Sequence, residues 1–338
     1  MSLNNTIGLA ANEPGGSLES LTYELGALGV NEVIIDVDYC GICHSDLSMV
    51  DNQWGITQYP LVPGHEVIGK IATVGDGVKH FSPGDSVGLG WHCGYCNECS
   101  CCKSGHQNLC ATARPTIVGH HGGFADKVKA DANSVVVIPE GIDLKSAGPL
   151  MCAGVTVFNP IVQFGVAPTD RVAVIGIGGL GHLAVQFLSA WGCEVTAFTT
   201  SETKKTEALS FGAHHTLNSR DPEAIEQAAN SFDYLISTVN VKLDWNLYLN
   251  SLKPRGTMVF VGATLDPLDL GVMPLIMGQR SIAGSTVGSP AIMDQMLQFA
   301  SRHQIRPLIE QFPMSKANEA MEHVRTGKPK YRVVLANN

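Results

Sequence analysis

The most concentrated chemical feature of the chain is a group of cysteines. Six of its ten cysteines lie between Cys93 and Cys110. Four of them follow a regular spacing, which is Cys96-x2-Cys99-x2-Cys102-x7-Cys110. Four thiolates this close together are typical of a closed tetrahedral zinc site, the structural kind. A set of Cys93, Cys96, Cys99 and Cys110 is also arithmetically possible. The spacing therefore predicts a structural zinc in a lobe at about residues 91–111.

Three further residues of the ligand type stand far apart in the sequence. Cys43 lies in YCGICHSDLS, His65 in PGHEVIG and Cys152 in GPLMCAGVTV. Two thiolates and one imidazole would leave a tetrahedral zinc with an open position, which is the catalytic kind of site. Spacing alone does not connect the three residues. A single buried cysteine usually acts as a small hydrophobe, and a single histidine is usually an ordinary core or surface residue.

A glycine-rich turn indicates a second kind of chemistry. The pattern G-x-G-x-x-G is formed by Gly176, Ile177, Gly178, Gly179, Leu180 and Gly181. In such a turn the first glycine allows the tight bend, the second lets the backbone approach a pyrophosphate, and the third permits close packing of helix on strand. An ordinary strand–helix turn is the alternative. Because a strand pattern precedes the motif and a helix pattern follows it, we predict dinucleotide binding at the helix N-terminus.

The end of the next strand indicates which nicotinamide cofactor is bound. An NAD site favours Asp or Glu there for the ribose hydroxyls. This chain instead has hydroxyls and a lysine, namely Thr199, Thr200, Ser201 and Lys204. Such donors suit the 2′-phosphate of NADP, and we place the nearby Glu202 in the following loop. The alternative is a helix N-cap, Ser201 or Thr203, followed by solvated lysines. Both can hold at once, and we predict NADP.

Composition limits the classes of protein that fit. The 338 residues are 44% hydrophobic and 16% charged, with a formal net charge of −9, and this length allows two domains. An acidic chain lacks the basic face of a nucleic-acid binder. We see neither a signal peptide nor a run of about 18 apolar residues. We therefore expect a cytosolic protein without nucleic-acid or membrane partners, in which clustered cysteines bind metal rather than form disulfides.

The elements that must position these residues fall into two groups. The first 150 or so residues are rich in Gly, Pro and short β-branched runs such as EVIIDVDYC, which indicates an irregular, mostly β domain. After Gly148, strand and helix patterns alternate. Strands are predicted at RVAVIG, EVTAF, FDYLISTV and TMVFVGA, with helices at residues 180–191 and 204–213. This alternation predicts a doubly wound parallel sheet of the α/β class.

The last 50 or so residues show two amphipathic helix patterns and a strand pattern. The helices are predicted at Ile292–Ala300 and Ala317–Val324, and the strand at YRVVL. A third domain is the alternative. We expect this segment to fold back onto the first domain.

The motifs taken together resemble a known family. They are YCGICHSDL, PLVPGHEVIGKI, the four-cysteine lobe, GGFADKV, AGPLMCAGVTV, VIGIGGLGHLAVQ and the closing YRVV. In this order they resemble zinc-containing alcohol dehydrogenases of the medium-chain dehydrogenase/reductase superfamily, over essentially the whole chain. The resemblance is to the cinnamyl-alcohol-dehydrogenase-like branch, which includes bacterial NADPH-dependent aldehyde reductases. It implies a GroES-like catalytic domain (1–152 with 290–338), a Rossmann domain (153–289), and a homodimer or homotetramer.

The resemblance also implies roles for individual residues. Cys43, His65 and Cys152 match the catalytic zinc ligands, and Glu66 matches a carboxylate that can approach the metal. Asp46 matches the acid that orients the zinc-bound imidazole, a common need of metal sites. Ser45 matches the hydroxyl that exchanges the alcohol proton. The lobe ligands are then Cys96, Cys99, Cys102 and Cys110, which leaves Cys93 and Cys101 without an assigned role.

Cofactor and substrate residues follow in the same way. The implied cofactor-binding residues are His44, Thr156, Gly176, Gly178, Gly179, Leu180, Gly181, Thr199, Thr200, Ser201, Lys204, Thr238, Val239, Gly262, Ser285 and Arg332. His44 can equally be a plain loop residue. Trp54, Trp91 and His92 are expected to line the substrate cleft, although either tryptophan can equally be core packing. Many relatives continue the proton relay to a histidine five residues after the first zinc cysteine, where this chain has Ser48.

The implied function is a reversible hydride transfer between NADPH and an aldehyde, with two zinc ions per chain. Two rival classes share the fold: zinc-free quinone or enoyl reductases, and non-catalytic NADP-binding proteins. A zinc-free reductase would lack Cys43, His65 and Cys152 as a set, and all three are present.

Overall fold

The computed structural model describes residues 5–264 and 266–337. The chain divides into two compact units, one of Met1–Val155 with Gly288–Asn338 and the other of Thr156–Val287. The breaks lie near those expected from the sequence, at 152 and 290. The catalytic and cofactor roles of the two units stay predictions.

The described residues form seventeen strands and eleven helices. The strands are β1 (Asn5–Ala10), β2 (Glu19–Glu24), β3 (Glu32–Ile42), β4 (Val67–Val74), β5 (Ser86–Leu89), β6 (His92–Gly94), β7 (Arg114–Pro115), β8 (Lys127–Asp131), β9 (Val135–Val137), β10 (Arg171–Ile175), β11 (Glu194–Thr199), β12 (His215–Asn218), β13 (Phe232–Ser237), β14 (Leu252–Phe260), β15 (Ser281–Gly284), β16 (Ile309–Pro313) and β17 (Arg332–Ala336). The helices are α1 (His44–Val50), α2 (Ser100–Lys103), α3 (Leu144–Ala147), α4 (Ala153–Gln163), α5 (Gly181–Trp191), α6 (Glu202–Ser210), α7 (Pro222–Gln227), α8 (Trp245–Ser251), α9 (Val272–Gly278), α10 (Pro290–His303) and α11 (Ala317–Arg325). Within the described ranges, none of these helices is long and apolar enough to cross a membrane.

The first unit is built around a mixed, largely antiparallel sheet in the order β16-β17-β3-β4-β5-β9, with β8 also paired to β3. Strand β3 is the centre of this sheet, and Val33, Ile35 and Val37 on it are buried in the core. Ile34 between them is buried as well, so this part of β3 is covered on both faces. Because β17 pairs with β3, the C-terminal segment completes this sheet.

The register of β3 against β4 positions the first candidate site. The two strands are antiparallel, with Cys40 opposite Val67 and Tyr39 opposite Ile68. The end of β3 therefore lies beside the beginning of β4. As a result, the residue that follows β3, Cys43, comes close to the two residues that precede β4, His65 and Glu66.

The second unit contains a six-stranded parallel sheet in the order β12-β11-β10-β13-β14-β15. Numbered within the unit, this is the order 3-2-1-4-5-6 of a doubly wound nucleotide-binding sheet. The predicted α/β class and mostly-β plus doubly wound architecture are confirmed. Two of the six strands, β12 and β15, were not predicted, because each is four residues long and neither is fully buried.

Candidate metal centres and cofactor site

The three scattered ligand-type residues come together with Glu66. One ligand atom from each of Cys43, His65, Glu66 and Cys152 lies within 4.8 Å of the others, and all four residues are buried. Cys43 is the N-cap of α1, immediately after β3. Cys152 follows the short 3-10 turn Gly148–Met151 and precedes α4. Tertiary structure therefore unites residues that are up to 109 positions apart, since the two thiols are 4.0 Å apart.

The donor set fits a metal ion. Among the described residues, the buried His65 Nε2 and Glu66 Oε2 have no hydrogen-bond partner, and burying an unpaired polar atom is costly. A hydrogen bond from the Cys152 thiol is the main reason that the pKa of Cys43 lies well below its usual value. Two sulfurs and an imidazole nitrogen are the donors that zinc prefers. Zinc would satisfy Nε2 and compensate the thiolate charge.

Asp46 fixes the positions of two of these ligands, Cys43 and His65, by hydrogen bonds. Its Oδ1 accepts hydrogen bonds from His65 Nδ1 at 2.9 Å and from the Gly64 amide at 2.9 Å. Its Oδ2 accepts from the Cys43 amide at 2.8 Å. Burial lowers the pKa of His65, but the charge and hydrogen bond of Asp46 raise it more, so the net pKa is well above the usual value. Because Nδ1 is engaged by Asp46, Nε2 is the ring nitrogen that remains to bind a metal, as expected for an orienting carboxylate.

Replacing Asp46 by asparagine is therefore expected to weaken the catalytic metal site. The amide keeps the shape but loses the charge that fixes the imidazole, and loss of such outer partners lowers metal affinity about 10–100-fold. The measurement is zinc release to a chelator, followed together with kcat/KM. Asp36→Asn is a suitable control, because Asp36 pairs with Lys127 outside the ligand cluster. Equal zinc release from Asp46→Asn and the wild type would contradict the role of Asp46.

Glu66 and Arg332 form a buried ion pair beside the ligands. Arg332 Nη2 donates to Glu66 Oε1 and, at 3.2 Å, to the carbonyl oxygen of Ile42. Burial raises the pKa of Glu66 to about 7, while the charge of Arg332 acts in the opposite direction. Arg332 was predicted to bind the cofactor. The structure places it against Glu66, and its Nε has no partner among the described residues, so a cofactor role stays a prediction.

The first residue of the expected proton relay, Ser45, lies beside the candidate metal ligands. Ser45 Oγ lies 3.7 Å from Cys43 Sγ, so its hydroxyl is next to one of the candidate metal ligands. Ser48 is buried, and its hydroxyl donates to Gln53 Oε1 at 2.9 Å. Neither Ser48 nor Gln53 titrates near neutral pH. Neither side chain can therefore replace the histidine that many relatives have at the position of Ser48. His44 is exposed at the start of α1.

Two of the three predicted substrate residues lie next to His65 of the candidate metal cluster. The ring of Trp91 meets that of His65 edge to face at 5.0 Å, and Trp54 meets Trp91 at 5.9 Å. These rings form an aromatic wall beside the cluster. His92 instead packs on Tyr95 at 5.4 Å, and burial lowers its pKa to about 4. His92 is therefore positioned towards the cysteine lobe, with a neutral imidazole.

The four-cysteine lobe forms a second cluster. One sulfur each from Cys96, Cys99, Cys102 and Cys110 lies within 4.8 Å of the others. Helix α2 begins at this point, with Cys99 as its N-cap. The amide of Cys99 donates to Cys96 Sγ at 3.4 Å, and the amide of Cys102 donates to Cys99 Sγ at 3.5 Å. Such N–H···S bonds stabilise thiolates. The backbone hydrogen bond from Cys96 is the main reason that the pKa of Cys110 falls to about 6, whereas burial raises the pKa of Cys102 to about 12. Four sulfur donors this close together are the ligand set of a closed zinc site.

Cys93 and Cys101 lie outside this cluster. The Cys93 thiol donates to the carbonyl of Arg114 at 3.4 Å across the β6–β7 pair, and burial raises its pKa to about 12. It therefore remains a thiol that stabilises a strand pair. Cys101 is on α2, partly exposed. Of the two ligand sets that spacing allowed, the structure assembles the one with Cys102 rather than Cys93.

A Cys102→Ser variant is expected to lose the lobe metal and much of the stability of its unit. Structural zinc sites contribute folding free energy directly. A loss of several kcal/mol lowers the Tm of a unit of this size by about 10 °C. The measurements are metal content and thermal unfolding. Cys101→Ser, one residue earlier, is the matched control and should keep both values. A Tm unchanged by Cys102→Ser would disprove a structural role for the lobe metal.

In the second unit, the glycine turn has the geometry that the motif predicts. Gly176 has φ +90°, and a β-carbon there would overlap Val239. A β-carbon at Gly181 would overlap the carbonyl oxygen of Gly176, whereas one at Gly178 would meet nothing within 4 Å. The first and third glycines thus allow the turn and the close packing of α5, and the second leaves open space beside the backbone. That space, at the N-terminus of α5, fits a pyrophosphate.

Other predicted cofactor residues lie in the same unit, and one of them, Thr238, contacts this turn. Thr238 Oγ1 donates to the carbonyl oxygens of Ile175 at 3.0 Å and Gly176 at 2.8 Å. A β-carbon at Gly262 would overlap the carbonyl oxygen of Val239, so β13 and β14 meet closely here. Ser285 follows β15, where its hydroxyl donates to Gln163 Oε1 at 2.9 Å. Thr156 is buried in α4.

The predicted 2′-phosphate residues lie where β11 ends and α6 begins. Thr199 is the last residue of β11, and Ser201 is the N-cap of α6, accepting from the Lys204 amide at 3.3 Å. Ser201 and Thr200 are exposed. Glu202 points into solvent and pairs with Lys205 at 3.6 Å. The sequence placed Glu202 in the loop that follows β11, and this was wrong: Glu202 is the first residue of α6.

Comparison with known proteins agrees with this geometry. Residues 29–140 match the alcohol dehydrogenase GroES-like domain, and residues 179–302 match the zinc-binding dehydrogenase family. The chain is 61% identical over 329 residues to the aldehyde reductase AdhA of Synechocystis sp., covering 97% of this chain and 98% of that protein. The chain belongs to the zinc-containing alcohol dehydrogenases, in their cinnamyl-alcohol-dehydrogenase-like branch.

Solved structures of this branch have the same fold. A cinnamyl alcohol dehydrogenase from Sorghum bicolor superimposes with a TM-score of 0.94 at 38% identity, over 98% of this chain and 97% of that one. The CAD protein of Helicobacter pylori, solved with NADP(H), gives a TM-score of 0.89 at 32% identity, over 98% of each chain. The chain is thus an oxidoreductase of the alcohol dehydrogenase and aldehyde reductase class. The predicted family and reaction class are confirmed.

Proposed function

We propose that this zinc-containing alcohol dehydrogenase works as an NADPH-dependent aldehyde reductase with two zinc ions per chain. The observation that carries the proposal is the buried cluster of Cys43, His65 and Cys152 with an unpartnered imidazole nitrogen. Such a cluster has no purpose in a zinc-free reductase. The names of the relatives, an aldehyde reductase and a structure holding NADP(H), support the same reading.

Each residue of the proposed active site has a separate role in the reduction. Cys43, His65 and Cys152 would hold the catalytic zinc, which when bound supplies a Lewis acid that polarises the aldehyde oxygen. The bound cofactor supplies the hydride. Ser45, next to Cys43, donates the proton to the product oxygen and is reprotonated from solvent, because Ser48 offers no titratable group. Trp54 and Trp91 bind the apolar part of the substrate and exclude water. Asp46 keeps the imidazole oriented.

The preference for NADPH rests on the charges at the start of α6. Ser201, Thr200 and Lys204 offer hydroxyl and ammonium donors near a helix N-terminus, which favours a dianionic phosphate. The carboxylate of Glu202, one residue after Ser201, is 92% exposed and paired with Lys205. It does not compete for the ribose hydroxyls as the Asp or Glu of an NAD site does.

One experiment tests the proposal. The purified protein is assayed for metal content and for kcat/KM on aromatic, cinnamyl-type and aliphatic aldehydes with NADPH and with NADH. We expect about two zinc ions per chain and a higher kcat/KM with NADPH. One zinc per chain with no turnover would favour a non-catalytic NADP-binding protein. Preference for NADH would overturn the cofactor assignment.

We also propose a cytosolic homo-oligomer, a dimer or tetramer. Helix α9 exposes Val272, Met273 and Ile276 at 62% and Met277 at 77%, an apolar face that a second copy of the chain would cover. Strand β15 next to it is an edge of the parallel sheet. Met277→Glu is expected to shift the oligomer towards monomer in sedimentation measurements.

The cytosolic location is supported by the cysteines. All ten cysteines are free, which suits a reducing compartment.

A further inference from the structure

Gly41 lies on β3, two residues before Cys43, and directly faces the carboxylate of Glu66. A β-carbon built at Gly41 would overlap Glu66 Oε2 and would lie only 3.0 Å from both Cβ and Cδ of Glu66. Carbon atoms that are not bonded prefer about 3.5–4.0 Å. Any side chain at position 41 therefore excludes the present position of the Glu66 carboxylate. The sequence pattern contained a hint of this, since a glycine inside a β-branched strand often marks a close approach.

The backbone around Gly41 has little freedom to relieve such a contact. The Gly41 amide donates to the carbonyl oxygen of Glu66 at 2.9 Å, and Gly41 also pairs with Val334 of β17. On a third side, a β-carbon at Gly148 would lie 2.8 Å from the Glu66 carbonyl oxygen and 3.1 Å from the Gly41 amide nitrogen. The backbones at Gly41, Glu66 and Gly148 are thus in close contact. A methyl group at position 41 would have to displace the Glu66 side chain rather than β3.

The Glu66 carboxylate lies between its ion-pair partner and the metal ligands. Its Oε1 accepts from Arg332, whereas its buried Oε2 has no partner among the described residues. The carboxylate also belongs to the cluster whose ligand atoms lie within 4.8 Å of one another. A carboxylate displaced from Gly41 therefore has the ligand atoms of Cys43, His65 and Cys152 within reach.

We propose that Gly41 is a positioning residue for Glu66. The space left by the missing side chain receives Oε2, and this sets how close the carboxylate comes to the metal and so leaves a coordination position for substrate. The inference rests on the proposed catalytic metal site. Filling the space in Gly41→Ala drives the carboxylate onto the metal. The metal is then held more tightly, by about tenfold, within the range that outer partners of metal sites control.

Cobalt substitution tests the proposal without relying on activity. Co²⁺ is bound by the wild type, by Gly41→Ala, by Glu66→Asp and by the double variant, and the visible absorption and the rate of Co²⁺ loss to a chelator are recorded. Glu66→Asp keeps the charge for Arg332 but withdraws the oxygens by one methylene. We expect Gly41→Ala to shift the spectrum and slow Co²⁺ loss in the wild-type background. In the Glu66→Asp background both effects should be much smaller, because the contact with Oε2 is lost and only the 3.0 Å contact with the β-carbon remains.

Gly29→Ala is the matched control. A β-carbon at Gly29 would lie 2.9 Å from Glu32 Oε2, so this variant also presses a methyl group on a glutamate, outside both ligand clusters. Its spectrum should equal that of the wild type. Equal effects of Gly41→Ala in both backgrounds, or no effect in either, would overturn the proposal. If Gly41→Ala does not fold, the double variant should, and failure of both also overturns it.

The same measurement separates this inference from the proposed function. Two Co²⁺ ions per wild-type chain, with no dependence of the Gly41→Ala effect on Glu66, would reject the positioning role alone. A wild type that binds one Co²⁺ ion, in the cysteine lobe only, would reject the catalytic metal site and the positioning role with it.

Discussion

A Cys43→Ala variant is expected to reduce aldehydes with a kcat/KM about 10³-fold or more below that of the wild type. A catalytic zinc contributes several kcal/mol of transition-state stabilisation, and each 1.36 kcal/mol is about a factor of ten in rate. The thiolate of Cys43 is central to the site, because it lies 4.0 Å from Cys152 Sγ and next to Ser45. Without it, the two remaining ligands cannot hold the ion in a substrate-binding geometry.

The variant should also lose one of its two metal ions while keeping the one in the cysteine lobe. Steady-state kinetics and metal analysis on the same preparation measure both effects. Cys193→Ala is a matched control, because the Cys193 thiol is equally buried but donates to the carbonyl oxygen of Ala167 in the other unit. Full aldehyde reduction by Cys43→Ala would rule out the proposed catalytic site.

The second large effect is a change of cofactor. In the double variant Ser201→Asp with Lys204→Ala, the ratio of kcat/KM for NADPH to that for NADH should fall about 10²–10³-fold. Each charge-assisted hydrogen bond to the 2′-phosphate contributes about 1.5–3 kcal/mol, and two are lost. The new carboxylate repels the phosphate and can instead accept from the ribose hydroxyls of NADH. Asp is also a good N-cap, so α6 should remain intact.

Lys205→Ala is the control for the loss of positive charge, since Lys205 is already paired with Glu202. It should change the ratio little. Binding of each cofactor can be followed separately by quenching of tryptophan fluorescence. If the double variant keeps the wild-type preference, Ser201 and Lys204 do not bind the phosphate. Ser201 then only caps α6, and Lys204 is only a solvated lysine on it.

The sequence by itself determined the parts of this protein whose chemistry is local. The four lobe cysteines fall within 15 residues, from Cys96 to Cys110, so their spacing alone predicts one small tetrahedral site. The glycine turn is equally local: the roles of Gly176 and Gly181 follow from one strand, one bend and one helix, and the structure has them as expected. Strands buried on both faces, such as β10, carry apolar runs that need no partner to be recognised.

Short and partly exposed strands could not be predicted from local sequence patterns. Strands β12 and β15 have only four residues each, with mixed burial. Their sequences, HTLN and SIAG, contain neither an apolar run nor a period-two pattern. They are strands because β11 and β14 offer them an edge with free hydrogen-bonding groups, which is a property of the assembled sheet.

The cluster of Cys43, His65, Glu66 and Cys152 was predictable from the sequence only in part. Motif resemblance named Cys43, His65 and Cys152, but only the antiparallel register of β3 and β4 and the turn before α4 bring them within 4.8 Å. Tertiary structure also decided what no local pattern contains: that Cys93 bonds a carbonyl instead of a metal, that Glu202 pairs with Lys205, and that Arg332 lies against Glu66. The physical reason is the same in each case. Sequence spacing specifies contacts within one turn or strand, whereas contacts between distant segments depend on how those segments pack.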